Sequence, residues 1–227
     1  GTLTRVPKSE VYAVIESDLN SAISALPAQK STDGRATSFT AHALLGKVYL
    51  YQGKYSEAAN ILEPLIGLYT LPSNPGSVFL VSGENGPESV FEIQHSKESN
   101  GWNWGWLPQS TEGNFGVIHH GIRGYNGPTY SSGWSFNVPT DEFHKAFKSG
   151  DKRRDASILD IVKWAEDNNA SYNEGYEHTG YFNNKYIPRQ GYSKNTMELN
   201  YENNYITVTL GPSHYCLLYT SDAADDL

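Results

Sequence analysis

The residues best suited to ligand chemistry are three tryptophans that alternate with small or polar residues. The segment reads Trp102-Asn103-Trp104-Gly105-Trp106. In an extended chain, alternate side chains project to the same side, so these three indole rings would form one surface. An indole face suits the apolar C–H face of a sugar ring, while neighbouring amide groups can bond to the sugar hydroxyls. The pattern predicts a carbohydrate-binding platform.

More aromatic and polar side chains follow within about thirty residues and extend the predicted site. The whole chain is rich in such rings, with 16 Tyr and 5 Trp among 227 residues. Pockets combine aromatic rings with a few polar groups, so these rings suit a ligand, but they could equally fill a satellite core beneath a long loop. Both interpretations remain open at this point. The predicted ligand-binding residues are Trp102, Asn103, Trp104, Trp106, Arg123, Tyr125, Tyr130 and Trp134.

The patterns expected of catalytic and metal sites are weak in this sequence. Glycoside hydrolysis needs two carboxylates held across a sugar bond, whereas the neighbours Asp141 and Glu142 suit a helix start. His119 and His120 are adjacent, so their side chains point apart, and no further ligands follow at metal-site spacing. The G-x-S-x-G motif of serine hydrolases does not occur in the sequence. We therefore predict no enzymatic activity, no catalytic residue, no metal and no cofactor.

Charge and hydropathy exclude two further classes of partner. The formal net charge is −8, and no Lys/Arg block forms the basic patch that nucleic acids require. No apolar run in the sequence approaches the roughly 20 residues that span a bilayer. We expect no nucleic-acid partner and no membrane-spanning segment in this sequence.

Helical periodicity in the first seventy residues predicts the scaffold that holds the site. Three helices are predicted, over residues 9 to about 26, 38 to 51 and 55 to about 66. Ser9 is the expected cap of the first helix, and Thr37 or Ser38 that of the second. Pro64 lies within the last predicted turn of the third.

The second and third helices fit the tetratricopeptide repeat. Gly46 and Ala58 are small where the two helices would cross, and Tyr49 and Leu62 would fill the space beside the crossing. A single repeat is visible, although such repeats need about three copies to bury their faces. The matching positions are His42-x₂-Leu45-Gly46-x₂-Tyr49 and then Ala58-x₃-Leu62, with His42 in place of the usual Trp.

Beyond Leu71 the sequence predicts long loops with a few short elements. We expect a strand over 88–94, a loop over 96–139 without helical period, and a short helix over 141–147. Thr140 should cap that helix, and Phe143 and Phe147 should be its buried residues. Residues 151–154 suit a solvated turn with ion pairs, and 158–164 a short helix or strand. The predicted fold class is mainly α, a tetratricopeptide-like helical scaffold with a loop-rich, aromatic-rich region and few short strands.

The last residues have an unusual character. Residues 216–225 can be back-translated into a string that resembles a transposon adapter used in DNA library preparation, so we predict that 216–226 are adapter read-through. The lone cysteine, Cys216, would then carry no redox or metal information. The predicted division is 1–72 for the helical segment, 73–205 for the loop-rich region and 206–227 for an aberrant tail.

Several strings occur in an order that resembles the SusD/RagB family of outer-membrane nutrient-binding lipoproteins. No single string is diagnostic, but the ordered set is fairly specific and covers roughly residues 5–205. The strings are IESDL at 15–19, GRAT at 34–37, the hairpin 43–53 with YSEAA at 55–59, ESVFEIQ at 88–94, the stretch 139–147 leading into DKRR at 151–154, and YFNNKY at 181–186.

The resemblance implies a function that residue patterns alone do not give. It implies a helical scaffold with a loop-rich face. An N-terminal lipid, which is absent from this sequence, would anchor the protein to the outer membrane. Family members capture oligosaccharides, or occasionally peptides, for a SusC-like TonB-dependent transporter. After Tyr205 the chain departs from the family, where an Arg-containing apolar helix is expected. A protein–protein adaptor and a glycoside hydrolase remain as alternatives, the first because tetratricopeptide grooves often bind peptides.

Overall fold

The computed structural model describes residues 4–94, 116–175, 177–191, 194–201, 204–210 and 216–219. Within them the fold is mainly helical with short antiparallel strand pairs, which confirms the predicted fold class. The helices are α1 (Lys8–Ala25), α2 (Ser38–Tyr51), α3 (Tyr55–Leu62), α4 (Gly116–His120), α5 (Asp141–Ala146), α6 (Lys152–Ser157) and α7 (Ile161–Asn168). The strands are β1 (Ser89–Glu92), β2 (Ile158–Asp160), β3 (Tyr181–Asn183), β4 (Lys194–Tyr201), β5 (Asn204–Leu210) and β6 (Cys216–Tyr219).

The chain divides by its internal contacts into two units, each assembled from separated stretches. The first unit takes in Gly1–Leu71, Asn85–Ile93 and Tyr215–Leu227, and the second Pro72–Glu84 and Gln94–His214. The predicted segments are continuous along the sequence, whereas each of these units combines stretches that are separated in sequence. Asn85–Ile93, which the sequence groups with the loop-rich region, makes its contacts in the first unit.

Helix α1 begins one residue before its predicted cap. Pro7 occupies the N-cap position without a side-chain bond, and the Glu10 amide donates to the Pro7 carbonyl at 3.1 Å. The prediction that Ser9 caps this helix is therefore wrong, because Ser9 lies inside the first turn. Proline fixes its own backbone angle near the value that leads into a helix, so it starts one without a capping hydroxyl.

The α2–α3 hairpin has the predicted tetratricopeptide geometry. Thr37 and Thr40 form a reciprocal capping box, with amide-to-hydroxyl distances of 3.2 and 3.1 Å. A Cβ added to Gly46 would lie 2.6 Å from the Leu62 side chain, which confirms that the two helices cross closely there. Gly53 has a φ of +73° and reverses the chain between them.

Helix α3 ends earlier than predicted. It stops at Leu62 and continues as a 3₁₀ turn over Glu63–Leu65, so the predicted extension to Ile66 is wrong. Pro64 has no backbone N–H and cannot continue the α-helical bonding pattern, which explains the change of helix type. Ile66, left outside the hairpin, is 81% exposed.

An ion pair connects α1 with the turn between α2 and α3. Lys54 Nζ and Gln52 Nε2 both donate to Glu16 Oε1, at 2.6 and 2.7 Å. The hydrogen bond from Lys54, followed by that from Gln52, lowers the pKa of the Glu16 carboxyl. The bond fixes the start of α3 relative to the middle of α1.

Strand β1 lies within the predicted strand 88–94 and packs with α2. Thr40 Oγ1 donates to the Val90 carbonyl at 3.5 Å. The strand pairs antiparallel with β6, Ser89 opposite Tyr219. The predicted adapter origin of residues 216–226 concerns their codons and stays a prediction.

The second unit has its own hydrophobic core. Residues 158–164, predicted as a short helix or strand, hold both: β2 pairs antiparallel with β3, and α7 follows at once with Asp160 capping the Lys163 amide at 3.0 Å. Partly buried side chains, Trp164 among them, pack against the core. The buried core consists of Ile122, Tyr125, Tyr130, Leu159, Ile161, Phe182 and Ile187.

The short helices of this unit agree in part with the sequence. Thr140 Oγ1 accepts from the Phe143 amide at 3.2 Å, as predicted for the cap of α5. The predicted burial of Phe143 is wrong: it is 50% exposed, and its ring contacts the edge of Phe147 at 5.3 Å. The predicted turn at 151–154 carries its ion pair, Asp151 with Arg153 at 2.9 Å, but Asp151 also caps α6.

The interval 96–139, predicted to lack helices, contains the short α4 in its described part. Among the helices in the described ranges, none combines the length and hydropathy needed to cross a bilayer.

Candidate functional site

Two stretches of the second unit lie side by side and present a group of aromatic rings. One is α4 with the residues that follow it, and the other is residues 132–137. Main-chain hydrogen bonds join them like a short piece of sheet, and Ile122 forms a bridge with Ser132. The bonds run from the amides of Gly133, Trp134, Ser135 and Phe136 to the carbonyls of Ile122 (3.0 Å), Ile118 (2.8 Å), Gly121 (2.8 Å) and His119 (2.7 Å).

Two glycines allow the two stretches to come this close. A Cβ built on Gly133 would lie 2.4 Å from the Gly121 Cα, and one built on Gly121 would lie 2.6 Å from the Gly133 Cα. Both neighbours are backbone atoms, which cannot turn aside as a flexible side chain can. Any larger residue at either position would push the stretches apart.

The backbone of the second stretch is strained on both sides of Phe136. Ser135 has a φ of +60° and Asn137 a φ of +54°, both in the left-handed region. Such a conformation costs on the order of 1 kcal/mol or more in a residue other than glycine, and it persists only where the surroundings impose it. Here the hydrogen bonds to the neighbouring stretch impose it.

The aromatic cluster consists of His119, Trp134 and Phe136. The His119 and Trp134 rings meet edge to face, with centroids 5.1 Å apart. Phe136 contacts both, at 5.7 Å from His119 and 6.0 Å from Trp134. His119 and Trp134 are half-buried, whereas Phe136 is 50% exposed.

Arg123 supplies an exposed cation beside this cluster. Its Nη2 donates to the Trp134 carbonyl at 2.9 Å, and its main-chain N–H donates to Ser135 Oγ at 2.9 Å. The Asn173 amide in turn donates to the Arg123 carbonyl at 2.9 Å. A guanidinium carries five N–H donors, so the bond to Trp134, the one that it makes within the described part of the chain, leaves donors for a ligand.

The surroundings of His119 favour its neutral form. Burial lowers the pKa of His119, and the neighbouring His120 lowers it further. His120 Nε2 lies 3.5 Å from Asn137 Nδ2, so the residues that follow His119 and Phe136 contact each other. The arrangement offers apolar ring surface with guanidinium and amide groups at its margin, a combination suited to a molecule with both apolar faces and hydroxyls.

Two of the predicted site residues lie in the core. Tyr125 is 8% and Tyr130 5% exposed. The Tyr125 hydroxyl donates to the Pro128 carbonyl at 2.7 Å and accepts from Trp164 Nε1 at 2.9 Å. The Tyr130 ring packs against Trp164 at 5.1 Å and lies under the Arg189 guanidinium at 5.6 Å. Burial raises the pKa of Tyr130. Their described contacts are with protein groups, as in the core-packing interpretation.

Of the remaining predicted residues, the structure brings Arg123 and Trp134 together. Trp102, Asn103, Trp104 and Trp106 lie outside the described residues, so their role stays a prediction.

The sequence interpretation missed His119 and Phe136 as members of an aromatic site. His119 was considered only as a metal ligand; among the described residues no group of three or more His, Cys, Asp or Glu is placed to hold a metal ion. For Phe136 a signal exists: Trp134-Ser135-Phe136-Asn137 alternates rings with polar residues, as the Trp102–Trp106 segment does. That alternation could have identified it.

Comparisons with known proteins agree on one group of relatives, although no family model matches the chain. Among solved structures, a laminarin binding SusD-like protein is 36% identical over 96% of this chain and 49% of its own, with a TM-score of 0.77. Among curated proteins, SusD-like protein P2 of Formosa agariphila is 27% identical over 69% of this chain and 31% of its own. The chain is similar to SusD-like proteins in sequence and fold.

A further solved structure contains a bound sugar. Surface glycan-binding protein A of Bacteroides thetaiotaomicron, solved in complex with laminarihexaose, is 25% identical over 81% of this chain and 43% of its own, with a TM-score of 0.69. The chain spans less than half the length of each of these three proteins.

Proposed function

We propose that this chain belongs to a non-catalytic protein that binds oligosaccharides at the cell surface. The observation that carries the proposal is the 36% identity and TM-score of 0.77 to a laminarin binding SusD-like protein over 96% of the chain. The aromatic cluster beside Arg123 supports it independently, because it has the chemistry that a sugar ring needs.

The proposed contact follows from the two kinds of surface on a sugar. One face of a pyranose ring is lined by C–H bonds and gains from removal from water against an aromatic ring. The hydroxyls around its edge need donors and acceptors, which Arg123 and Asn137 can supply. Trp102, Trp104 and Trp106, together with Asn103, are proposed to extend the same surface for further sugar units.

Laminarin-type glucans are the first ligands to consider. One relative is named for binding laminarin, and another was solved with laminarihexaose. Laminarin is a neutral glucan, and an aromatic cluster in which burial favours the neutral form of His119 is compatible with a neutral sugar. We propose this class for the present chain.

We further propose delivery of the bound glycan to a SusC-like TonB-dependent transporter, from a lipid-anchored position on the outer membrane. The support is the ordered set of family-like strings and the description of several relatives as surface glycan-binding proteins. The carboxylates 141 and 142 support binding over hydrolysis, because Asp141 is ion-paired with Lys145 at the start of α5.

Isothermal titration calorimetry of the 227-residue chain with laminarihexaose tests the binding proposal. We expect saturable binding of laminarihexaose and weaker binding of maltohexaose and cellohexaose, whose linkages bend the chain differently. A reducing-end assay on the same mixtures should detect no product. Absence of binding to every oligosaccharide, with the chain folded by circular dichroism, would contradict the proposal, and product release would favour the hydrolase alternative.

The tryptophan platform needs a separate variant. Replacing Trp102, Trp104 and Trp106 together with Ala should abolish or strongly weaken binding if these rings contact the sugar. Unchanged affinity in the folded triple variant would remove them from the site and leave the aromatic cluster as the binding surface.

A further inference from the structure

We infer that Phe136 is the ring on which a sugar stacks in the described part of the site, and that Trp134 and His119 act as positioning residues for it. The inference rests on the proposed function. It assigns the contact to a residue that sequence patterns did not select.

Exposure distinguishes Phe136 from its neighbours. Half of Phe136 is exposed, at 50%, whereas Trp134 and His119 are half-buried behind it. Tyr125 and Tyr130, the other rings predicted nearby, lie below 10% exposure in the core. A ring can stack on a sugar only through a face that water already reaches, so Phe136 has the best access among these rings.

The backbone holds Phe136 in a conformation that an ordinary loop would avoid. The residues on both sides of it have positive φ values, +60° at Ser135 and +54° at Asn137. Between them the Phe136 amide donates to the His119 carbonyl at 2.7 Å. Two residues in the left-handed region flank one hydrogen-bonded residue and so fix the direction of its side chain. Such backbone strain concentrates at binding sites.

Packing on two sides restricts the ring. Trp134 approaches it at an interplanar angle of 64°, and His119 at 34°. A side chain already confined in this way loses little rotamer freedom when a ligand binds, so more of the contact energy appears as affinity. A freely rotating surface phenylalanine would lack that advantage.

The residues next to the cluster supply polar groups. Asn137 follows Phe136 directly, and the Arg123 guanidinium is bonded to the carbonyl of Trp134 at 2.9 Å. We expect a pyranose stacked on the Phe136 ring to use such an amide and guanidinium for its hydroxyls. The chemical class indicated is a neutral hexopyranose with an open C–H face.

The chain contains a matched control for the test. Phe143 is also 50% exposed, lies in the same unit, and packs on one other ring, Phe147 at 5.3 Å. Phe136→Ala and Phe143→Ala therefore remove the same ring from surfaces of equal exposure. Laminarihexaose is the probe, measured by calorimetry on the 227-residue chain.

We expect Phe136→Ala to weaken binding about tenfold or more, which corresponds to about 1.4 kcal/mol, and Phe143→Ala to stay within about twofold of the parent chain. Phe136→Tyr should retain affinity because it keeps the ring face. Phe136→Leu should lose it, although leucine preserves most of the apolar packing against Trp134.

The outcomes separate this inference from the proposed function. If the parent chain binds laminarihexaose and the two alanine variants bind equally well, the Phe136 assignment is wrong and the proposed function stands. If Phe136→Leu binds as well as Phe136→Tyr, a planar ring is not required and stacking is refuted. If the parent chain binds no oligosaccharide, both proposals are overturned.

Discussion

Replacing Gly133 with alanine should destabilise the second unit more than its single added methyl group suggests. The new Cβ would lie 2.4 Å from the Gly121 Cα and 2.5 Å from the Ile118 carbonyl oxygen. Ordinary contacts begin at 3.4 Å, so the two stretches of chain would have to separate by about 1 Å. No positive φ is recorded for Gly133, so crowding and not backbone conformation sets the cost.

The magnitude follows from what that separation disrupts. Overpacking costs about 1–3 kcal/mol where neighbours cannot relax, as with backbone atoms. The hydrogen bonds that the main-chain amides of Gly133 and Trp134 donate, at 3.0 and 2.8 Å, would be broken by this separation. Each contributes about 0.5–1.5 kcal/mol to stability. Alanine also lowers the conformational entropy of the unfolded chain, which offsets about 0.4–1 kcal/mol of this destabilisation. Together these ranges give a net loss of about 1–6 kcal/mol, with a middle value of about 3 kcal/mol.

Urea unfolding followed by tryptophan fluorescence measures this directly. With a slope of about 1–3 kcal/mol per molar, the midpoint should fall by about 1–2 M. Gly76→Ala is the control, because a Cβ there meets only Ala156 Cβ and Asn74 Oδ1 at 3.3 Å among its closest neighbours, and a small shift suffices. Its midpoint should change by less than about 0.5 M.

The same variant reports on the site. Gly133→Ala should weaken laminarihexaose binding, because it displaces Trp134 and Phe136 together. Equal unfolding midpoints for Gly133→Ala and Gly76→Ala would refute the argument that the contact of Gly121 with Gly133 builds the cluster.

Two further predictions concern local interactions. Thr37→Ala removes the capping box of α2 and should lower the free energy of unfolding of the first unit by about 1 kcal/mol, measured by urea titration against Thr4→Ala; equal midpoints would contradict it. Because burial lowers the pKa of His119, the unfolded chain binds more protons below about pH 6.5, so stability should fall as the pH drops. His119→Gln should flatten this dependence between pH 7.5 and 5.5, and an unchanged slope would exclude His119 as its source.

The sequence predicts well where a local rule and the tertiary fold agree. Thr37 caps α2 because its hydroxyl reaches an amide three residues away, a purely local relation. Gly46 and Leu62 belong to one hairpin with a tight turn, so their contact follows from the repeat pattern. Ser9 fails as a cap because α1 already begins at Lys8, with Pro7 at the N-cap. Pro64 shortens α3 because it has no backbone N–H to continue the α-helical bonding.

The site could not be assembled from the sequence because its contacts are between distant residues. Tyr125 became a core residue through Trp164, 39 positions away, and no periodicity in the loop records that partner. His119 and Phe136 meet because two glycines let their stretches approach, which is a property of the pair and not of either stretch. Phe143 was expected to be buried from the pattern of its own helix alone, yet its side chain is 50% exposed.

The interleaving of the two units has a consequence for how the chain reaches its folded state. On the ribosome, α1 to α3 emerge before β1, and Pro72–Glu84 of the second unit emerges between them. The bond from Thr40 to the Val90 carbonyl spans 50 residues, so the first unit cannot finish until that excursion has been synthesised and closed into a loop. Such late, nonlocal closure slows folding, and the apolar surface of the helices stays exposed to solvent until it is complete. Helices α1 to α3, which are made before β1, would therefore be the part most in need of protection by a chaperone during synthesis.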